Sequence, residues 1–163
     1  MKEIKSDGDT VFVQENFLSE KKCDEYFNKI KNIGYTKNII PWSERIVNIT
    51  DDPIVQKVTD YINKRFNLNL KIDSAEIQNH HVNSIAPLHI HNSPQRKHII
   101  YNSLLYLNDN FGGGEFITKE EKIKIKPKKG MLTFFNGQTI YHGVNRVSDN
   151  DRKTIIFWWS SDV

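Results

Sequence analysis

The sequence predicts a mostly β fold with packing helices, of the α+β class. The expected architecture is a double-stranded β-helix, or jelly roll, with two N-terminal helices against one sheet. Three observations predict it. The first half of the 163-residue chain carries two segments with apolar residues at helical spacing. From residue 72 onward, eight short strand-like runs follow one another with turn residues between them. No helical pattern separates those runs, which favours a sandwich or barrel over a parallel sheet. The expectation is one domain over residues 1–163, with helical support over about 17–67 and a jelly-roll core over about 72–160.

In chain order, "TVFVQENF" reads as a short strand. Ser19 then N-caps a helix that runs to about Lys31 and stops at Gly34, with Cys23, Tyr26, Phe27 and Ile30 at helical spacing. "DDPIVQKVTDYINKRFN" reads as a second helix, capped by Asp51 or Asp52 and with Pro53 in its first turn. Its stripe of Ile54, Val55, Val58, Ile62 and Phe66 is expected to pack on a sheet. The strand-like runs are "IDSAEIQNHHV", "PLHIH", "HIIYNSLLYLN", "GEFIT", "KIKIKP", "MLTFF", "TIYHGVNRV" and "RKTIIFWWS". Asn108-Asp109 with the glycines 112–114, and Lys128-Lys129-Gly130, supply turns. Trp158 and Trp159 are adjacent, so one is expected to face inward, as core.

Composition excludes several classes. The net charge is +3 and the lysines are dispersed, so "KIKIKPKK" reads as a solvated strand face rather than a nucleic-acid stripe. The single cysteine, Cys23, allows no internal disulfide and reads as a buried helix residue. The N-terminus has no apolar run, and no window approaches the ~18 apolar residues of a membrane span. The expected compartment is the cytoplasm, with no membrane partner.

"PLHIHNSPQ" carries the first chemical signal. His89 and His91 are two apart, and alternate side chains on a strand share a face, so two imidazoles can converge on one ion. His142, on a later run, supplies a third ligand in the pattern of a facial metal site with open positions. Arg152 follows ten residues on. It is expected to return on the neighbouring strand and point into the same mouth, where a guanidinium beside a metal suits a carboxylate.

In order along the chain, "FLSEKKCDEYF", "LHIH", "SLLYLNDNFGGGEF", "IKPKKGMLTFFNG", "YHGVNRV" and "RKTIIFWW" resemble the 2-oxoglutarate- and iron(II)-dependent dioxygenases, in their prolyl 4-hydroxylase-like branch. The resemblance covers well over half of the chain. It implies that His89 and His142 ligate iron and that Arg152 binds the distal carboxylate of 2-oxoglutarate, with Thr154 adding a hydroxyl. Tyr101, Asn102 and Tyr106 would lie on the strand lining the cosubstrate pocket. The implied cofactors are Fe(II), 2-oxoglutarate and O2, with ascorbate as an accessory reductant. The implied reaction oxidises a C–H bond of a protein side chain or small molecule, giving succinate and CO2.

His91 departs from the resemblance, because the family has an aspartate there. Three outcomes are open: a three-histidine triad, a swung-away His91 with two protein ligands, or a decayed site. Retention of Arg152, Thr154 and the GGGE hairpin favours the first. Of His80 and His81, one is expected to face the mouth. His98 reads as surface and Glu115 as a rim residue. The substrate walls are expected in residues 38–50 and in the "NSPQRKH" loop, where Arg45, Arg96 and Lys97 favour an acidic or peptide partner. Two other classes compete. One is a jelly-roll binding module that keeps the pocket without turnover. The other is a three-histidine cupin-type dioxygenase without 2-oxoglutarate, which has no use for Arg152.

Overall fold

The computed structural model describes residues 1–31 and 44–161. Its elements are β1 (Lys2–Ser6), β2 (Asp9–Gln14), α1 (Glu20–Lys31), β3 (Glu44–Asn48), α2 (Pro53–Phe66), β4 (Leu70–His80), β5 (Ala86–His89), β6 (Ile99–Tyr106), β7 (Gly112–Gly113), β8 (Phe116–Thr118), β9 (Lys124–Ile125), β10 (Leu132–Asn136), β11 (His142–Val144), β12 (Val147–Ser148) and β13 (Arg152–Ser161). The helix stop expected at Gly34, and residues 38–43 of the expected substrate wall, lie outside the described residues.

The helices form where the caps allow. Lys22 N donates to Ser19 Oγ at 3.3 Å, so Ser19 starts α1. Asp52 caps α2 by accepting from Ile54 N at 2.9 Å, and it also accepts from the Tyr26 hydroxyl at 2.6 Å and pairs with Lys29 Nζ at 3.5 Å, which ties the two helices together. Asn67 ends α2 in the left-handed region, and Asn63 then grips both backbone groups of Leu70, where β4 begins.

The large sheet runs β1-β2-β10-β6-β13-β4-β3, and a second sheet runs β5-β11-β8-β9. All the pairings are antiparallel, giving the expected jelly roll. Both faces of the large sheet are covered. Ile155, Phe157 and Trp159 of β13 pack with Leu105, Phe134, Val58 and Ile62 beneath the helices. Ile156 and Trp158 face the other way, with Leu104, Phe135 and Phe116 between the two sheets. Trp159 donates to Thr59 Oγ1 at 2.9 Å on the helical side. Both tryptophans are therefore buried, on opposite faces, rather than one facing inward; a sheet buried on both sides reads as an unbroken apolar run.

Three further differences from expectation have simple causes. The strand β1 pairs with β2 across Asp7-Gly8, both at positive φ as a two-residue primed turn requires; an Asp-Gly pair signals this, but polar "KEIKS" gives no strand pattern. A 3₁₀ turn at Pro94–Arg96, and a turn at Lys119–Glu121 in which Glu120 and Glu121 take positive φ, interrupt the run of strands. "TIYHGVNRV" carries two short strands, β11 and β12, which keep one antiparallel register with β8 and β7, bridged by the bonds Asn145 N to Glu115 O and Gly114 N to Arg146 O. The lysines of "KIKIKPKK" are spread as expected: Ile123 and Ile125 are buried between exposed lysines, and Lys122, Lys124, Lys128 and Lys129 pair with nearby carboxylates. Among the described residues, no helix is long and apolar enough to cross a membrane.

Cys23 is fully buried, with its thiol directed at Tyr106 O, and burial pushes it up to about 11. A raised value keeps the thiol protonated, and unreactive, at pH 8. A disulfide-exchange reagent at pH 8 should therefore label native protein at least about tenfold more slowly than protein in denaturant. Equal rates would contradict this packing.

Candidate functional site

Between the two sheets lies a cavity of about 220 Å³, walled by His89, His91 and His142 together with His80, Arg96, Arg152, Phe135 and Trp158. The strand order makes it. His142 on β11 and His89 on β5 are cross-strand partners, so their rings lie side by side, with centroids 4.5 Å apart. A bulge interrupts this pairing: Ala86 and His89, three apart on β5, meet Val144 and His142, two apart on β11, and the odd spacing lets both Ala86 and His89 line the cavity. His91 lies beyond the end of β5, so its convergence does not come from strand alternation as the sequence suggested. Its backbone N–H instead bonds to Gly137 O at 2.8 Å, which hangs it from the loop after β10.

Each histidine is anchored through Nδ1. That atom contacts Pro87 O in His89, Ile140 O in His142 (both at 2.7 Å), and Asn102 Oδ1 in His91 at 2.8 Å. A carbonyl oxygen can only accept, so each Nδ1 carries the proton and each Nε2 offers a lone pair. The Asn102 amide is oriented by its Nδ2, which donates to Phe157 O at 3.2 Å. Gly137 makes room for this arrangement, because a Cβ there would lie 2.0 Å from Asn102 Oδ1 and 2.7 Å from His91 Nδ1. Burial holds His142 down at about 3 and His91 at about 4, with the neighbouring imidazoles adding to both, so each ring is neutral and ready to ligate.

The three histidines are the group of potential ligands that the described residues bring together, with their ligating atoms within 4.8 Å of one another. Two nitrogens about 2.1 Å from one ion can be no more than ~4.2 Å apart, so small ring rotations close the set. The donor set fits a divalent transition ion with open positions.

Arg152 faces the histidines across the cavity rather than from a neighbouring strand, because the turn at 149–151 carries the chain from the small sheets into the centre of the large one. Its side chain is buried; Nε donates to Gly114 O at 3.0 Å, and Nη2 lies 3.4 Å from the Tyr106 hydroxyl. No carboxylate among the described residues pairs with it, and burial lowers its proton affinity. Thr154 stands two residues on, level with Gln78 and Tyr106, and its buried Oγ1 has no hydrogen-bond partner among the described residues. A buried cation without an anion, beside an idle hydroxyl, is a costly arrangement unless a ligand completes it.

Other expectations divide. His80 lines the cavity with Nδ1 unpartnered, while His81 turns out toward Asp151. His98 is at the surface on Asp73. Tyr101 does not belong to the site: one residue along β6 from Asn102, it points to the helical side and stacks on Phe134 with centroids 5.1 Å apart. The part of Gly137 carries no sequence signal, since it depends on a contact with residues 35 and 46 positions earlier. Among the described residues, no acidic side chain lines the cavity.

A family profile described as the 2OG-Fe(II) oxygenase superfamily matches residues 58–160. Prolyl 3-hydroxylase 2 of Mus musculus is 43% identical over 68 residues, a segment that covers 38% of this chain and 10% of that protein. The chain thus spans about a tenth of the length of such relatives. Among solved structures, the viral collagen prolyl hydroxylase of Paramecium Bursaria Chlorella virus-1, in complex with 2OG, superposes with a TM-score of 0.75 at 20% identity, covering 94% of this chain and 96% of that one. HygX of Streptomyces hygroscopicus, with nickel and 2-oxoglutarate bound, gives 0.72 at 11% identity, covering 93% and 82%.

Gly137→Ala should push Asn102 off His91 and weaken Co(II) or Ni(II) binding by about 10- to 100-fold in calorimetric titration. Asn102→Ala, which removes the acceptor without a clash, should act in the same direction. Unchanged affinity in both variants, with an unchanged circular dichroism spectrum, would separate His91 from the metal.

Proposed function

Because the chain belongs to the 2OG-Fe(II) oxygenase superfamily, we propose that it is a working 2-oxoglutarate- and Fe(II)-dependent dioxygenase with a three-histidine metal site. The observation that carries this reading is the buried Arg152, met by no carboxylate among the described residues and beside the idle Thr154 hydroxyl, in a cavity shared with three converging imidazoles. His89, His91 and His142 would hold the iron, and Arg152, Thr154 and Tyr106 the distal carboxylate of 2-oxoglutarate. With both bound, the family's chemistry reduces O2, converts 2-oxoglutarate to succinate and CO2, and oxidises a substrate C–H bond.

The chain's residues supply position and polarity. The carbonyls of Pro87 and Ile140 and the Asn102 amide hold the Nδ1–H of the three rings and leave each Nε2 for a metal, and the neutral His91 and His142 have no proton to lose before a metal binds. Arg152 meets a carboxylate in a dry setting, where a charge-assisted pair is strong. Phe116, Phe135, Ile156 and Trp158 keep water from the reacting centre. A neutral His91 adds no negative charge of its own, so the bound 2-oxoglutarate would be the anion that balances the metal. The names of the relatives point to a prolyl group as the substrate class.

Anaerobic Fe(II) and 2-oxoglutarate should give a weak visible charge-transfer band, and its absence from folded protein would overturn the reading. Arg152→Met should abolish the band while leaving Ni(II) binding within about twofold. That split also separates this function from a three-histidine oxygenase that does without 2-oxoglutarate. Succinate release on admitting air separates it from a binding module.

A further inference from the structure

A second groove, lined by Ile90, Ser93 and Ile99, opens from the cavity and shares His91, Arg96 and Trp158 with it. Arg96 is the charged side chain common to both spaces, and none of the lining residues of either is acidic. Its guanidinium lies over the Trp158 ring, 4.9 Å from the centroid. One nitrogen, Nη2, reaches Asp73 and Ser74 at the long distances of 3.5 and 3.4 Å. Asp73 gives its shorter contact, 2.9 Å, to His98. The remaining side-chain N–H groups of Arg96 have no partner among the described residues. The 3₁₀ turn that carries Arg96 is closed by its own N–H on Ser93 O at 2.9 Å, so the residue is presented from a defined bend.

Among the described residues, the cavity thus has two guanidiniums and no carboxylate in its lining, and the proposed function uses only Arg152. We infer that Arg96 binds a second anion, a carboxylate carried by the substrate, while the apolar part next to that carboxylate lies on Trp158 and faces the three histidines. A planar guanidinium stacked on an aromatic ring keeps its edge free for a bidentate partner, the geometry a carboxylate matches. None of the described lining residues is acidic, and the one carboxylate at Arg96, that of Asp73, is held at the long distance of 3.5 Å and gives its shorter contact to His98. The ligand class is a carboxylate beside a ring or short aliphatic group, found either in a free N-acylated imino acid or in a peptide with an acidic residue next to the oxidised one. This inference rests on the dioxygenase reading for its position near the metal, though the anion site itself does not depend on turnover.

The test uses the full chain with Fe(II), held anaerobic, and measures 2-oxoglutarate affinity first in the same sample. Four probes follow by calorimetry: N-acetyl-L-proline, its primary amide, and the peptides acetyl-Gly-Pro-Glu-Gly-amide and acetyl-Gly-Pro-Gln-Gly-amide. In one pair the acid should bind at least about tenfold tighter than its neutral partner, as a hydrogen bond to a charge requires. That preference should shrink as salt is raised. Arg96→Gln should remove it and leave 2-oxoglutarate affinity unchanged, and Arg96→Lys should restore part of it. Preference within the imino-acid pair identifies a small-molecule source, and preference within the peptide pair an acidic polypeptide. Equal binding within both pairs, binding of none of the four, or a preference that survives Arg96→Gln overturns the inference. Failure of 2-oxoglutarate to bind, with the acid preference intact, overturns the dioxygenase reading and leaves the anion site standing. The wild-type comparison of acid with amide, and its salt dependence, hold even if a variant fails to fold.

Discussion

The structure depends on one strand being buried on both faces. β13 lies between β6 and β4 in the middle of the large sheet, with helices on one side and the second sheet on the other. Its pleat divides the molecule. Ile155, Phe157 and Trp159 hold the helical layer, and Arg152, Ile156 and Trp158 line the cavity, with Thr154 on the same face of the strand. A strand in that position offers no solvent to a polar group, so each polar side chain on its cavity face must be matched by protein or by ligand. Arg152 is matched in part by Gly114 and Tyr106, and Thr154 is left open. The helical layer is thus part of the chemistry: without it β13 would face water on one side and the sheet could shift.

The opposite wall is built by different means. His89 and His142 are adjacent through strand pairing, whereas His91 is held by a backbone bond to Gly137 and a side-chain bond to Asn102. One pair of histidines is therefore fixed by regular ladders, and the third histidine is fixed by a loop. Regular ladders tolerate side-chain change better than such a loop contact, because the loop's geometry depends on two further residues fitting together.

Most of the fold was legible because its signals are local. Ser19 and Asp52 mark helix starts, the stripe of α2 has the right period, and the turns are rich in glycine. The candidate ligands His89 and His142 and the cation Arg152 were legible as residue types in order. What was hidden depends on pairing and facing. Tyr101 and Asn102 are adjacent on β6, and only the sheet's surroundings decide which of them sees the cavity. The bulge in β5 resets the faces of Ala86 and His89, and no short-range pattern announces it. Arg152 was expected beside His142 and lies across from it, because a turn can join two sheets as readily as two neighbouring strands.

The Asn102 contact has a consequence for the ways in which this sequence can change. Aspartate is shorter than histidine, so His91→Asp alone would pull the acceptor's partner away and leave a buried amide oxygen without its hydrogen bond, at a cost of about 1–3 kcal/mol. A larger residue at 137 is likewise shut out while the amide occupies that space. The three positions are thus epistatic. A route from this site to a carboxylate-bearing one that keeps position 102 unchanged leaves the Asn102 amide oxygen without its partner. The histidine is entrenched by its neighbours as well as by any ion it holds.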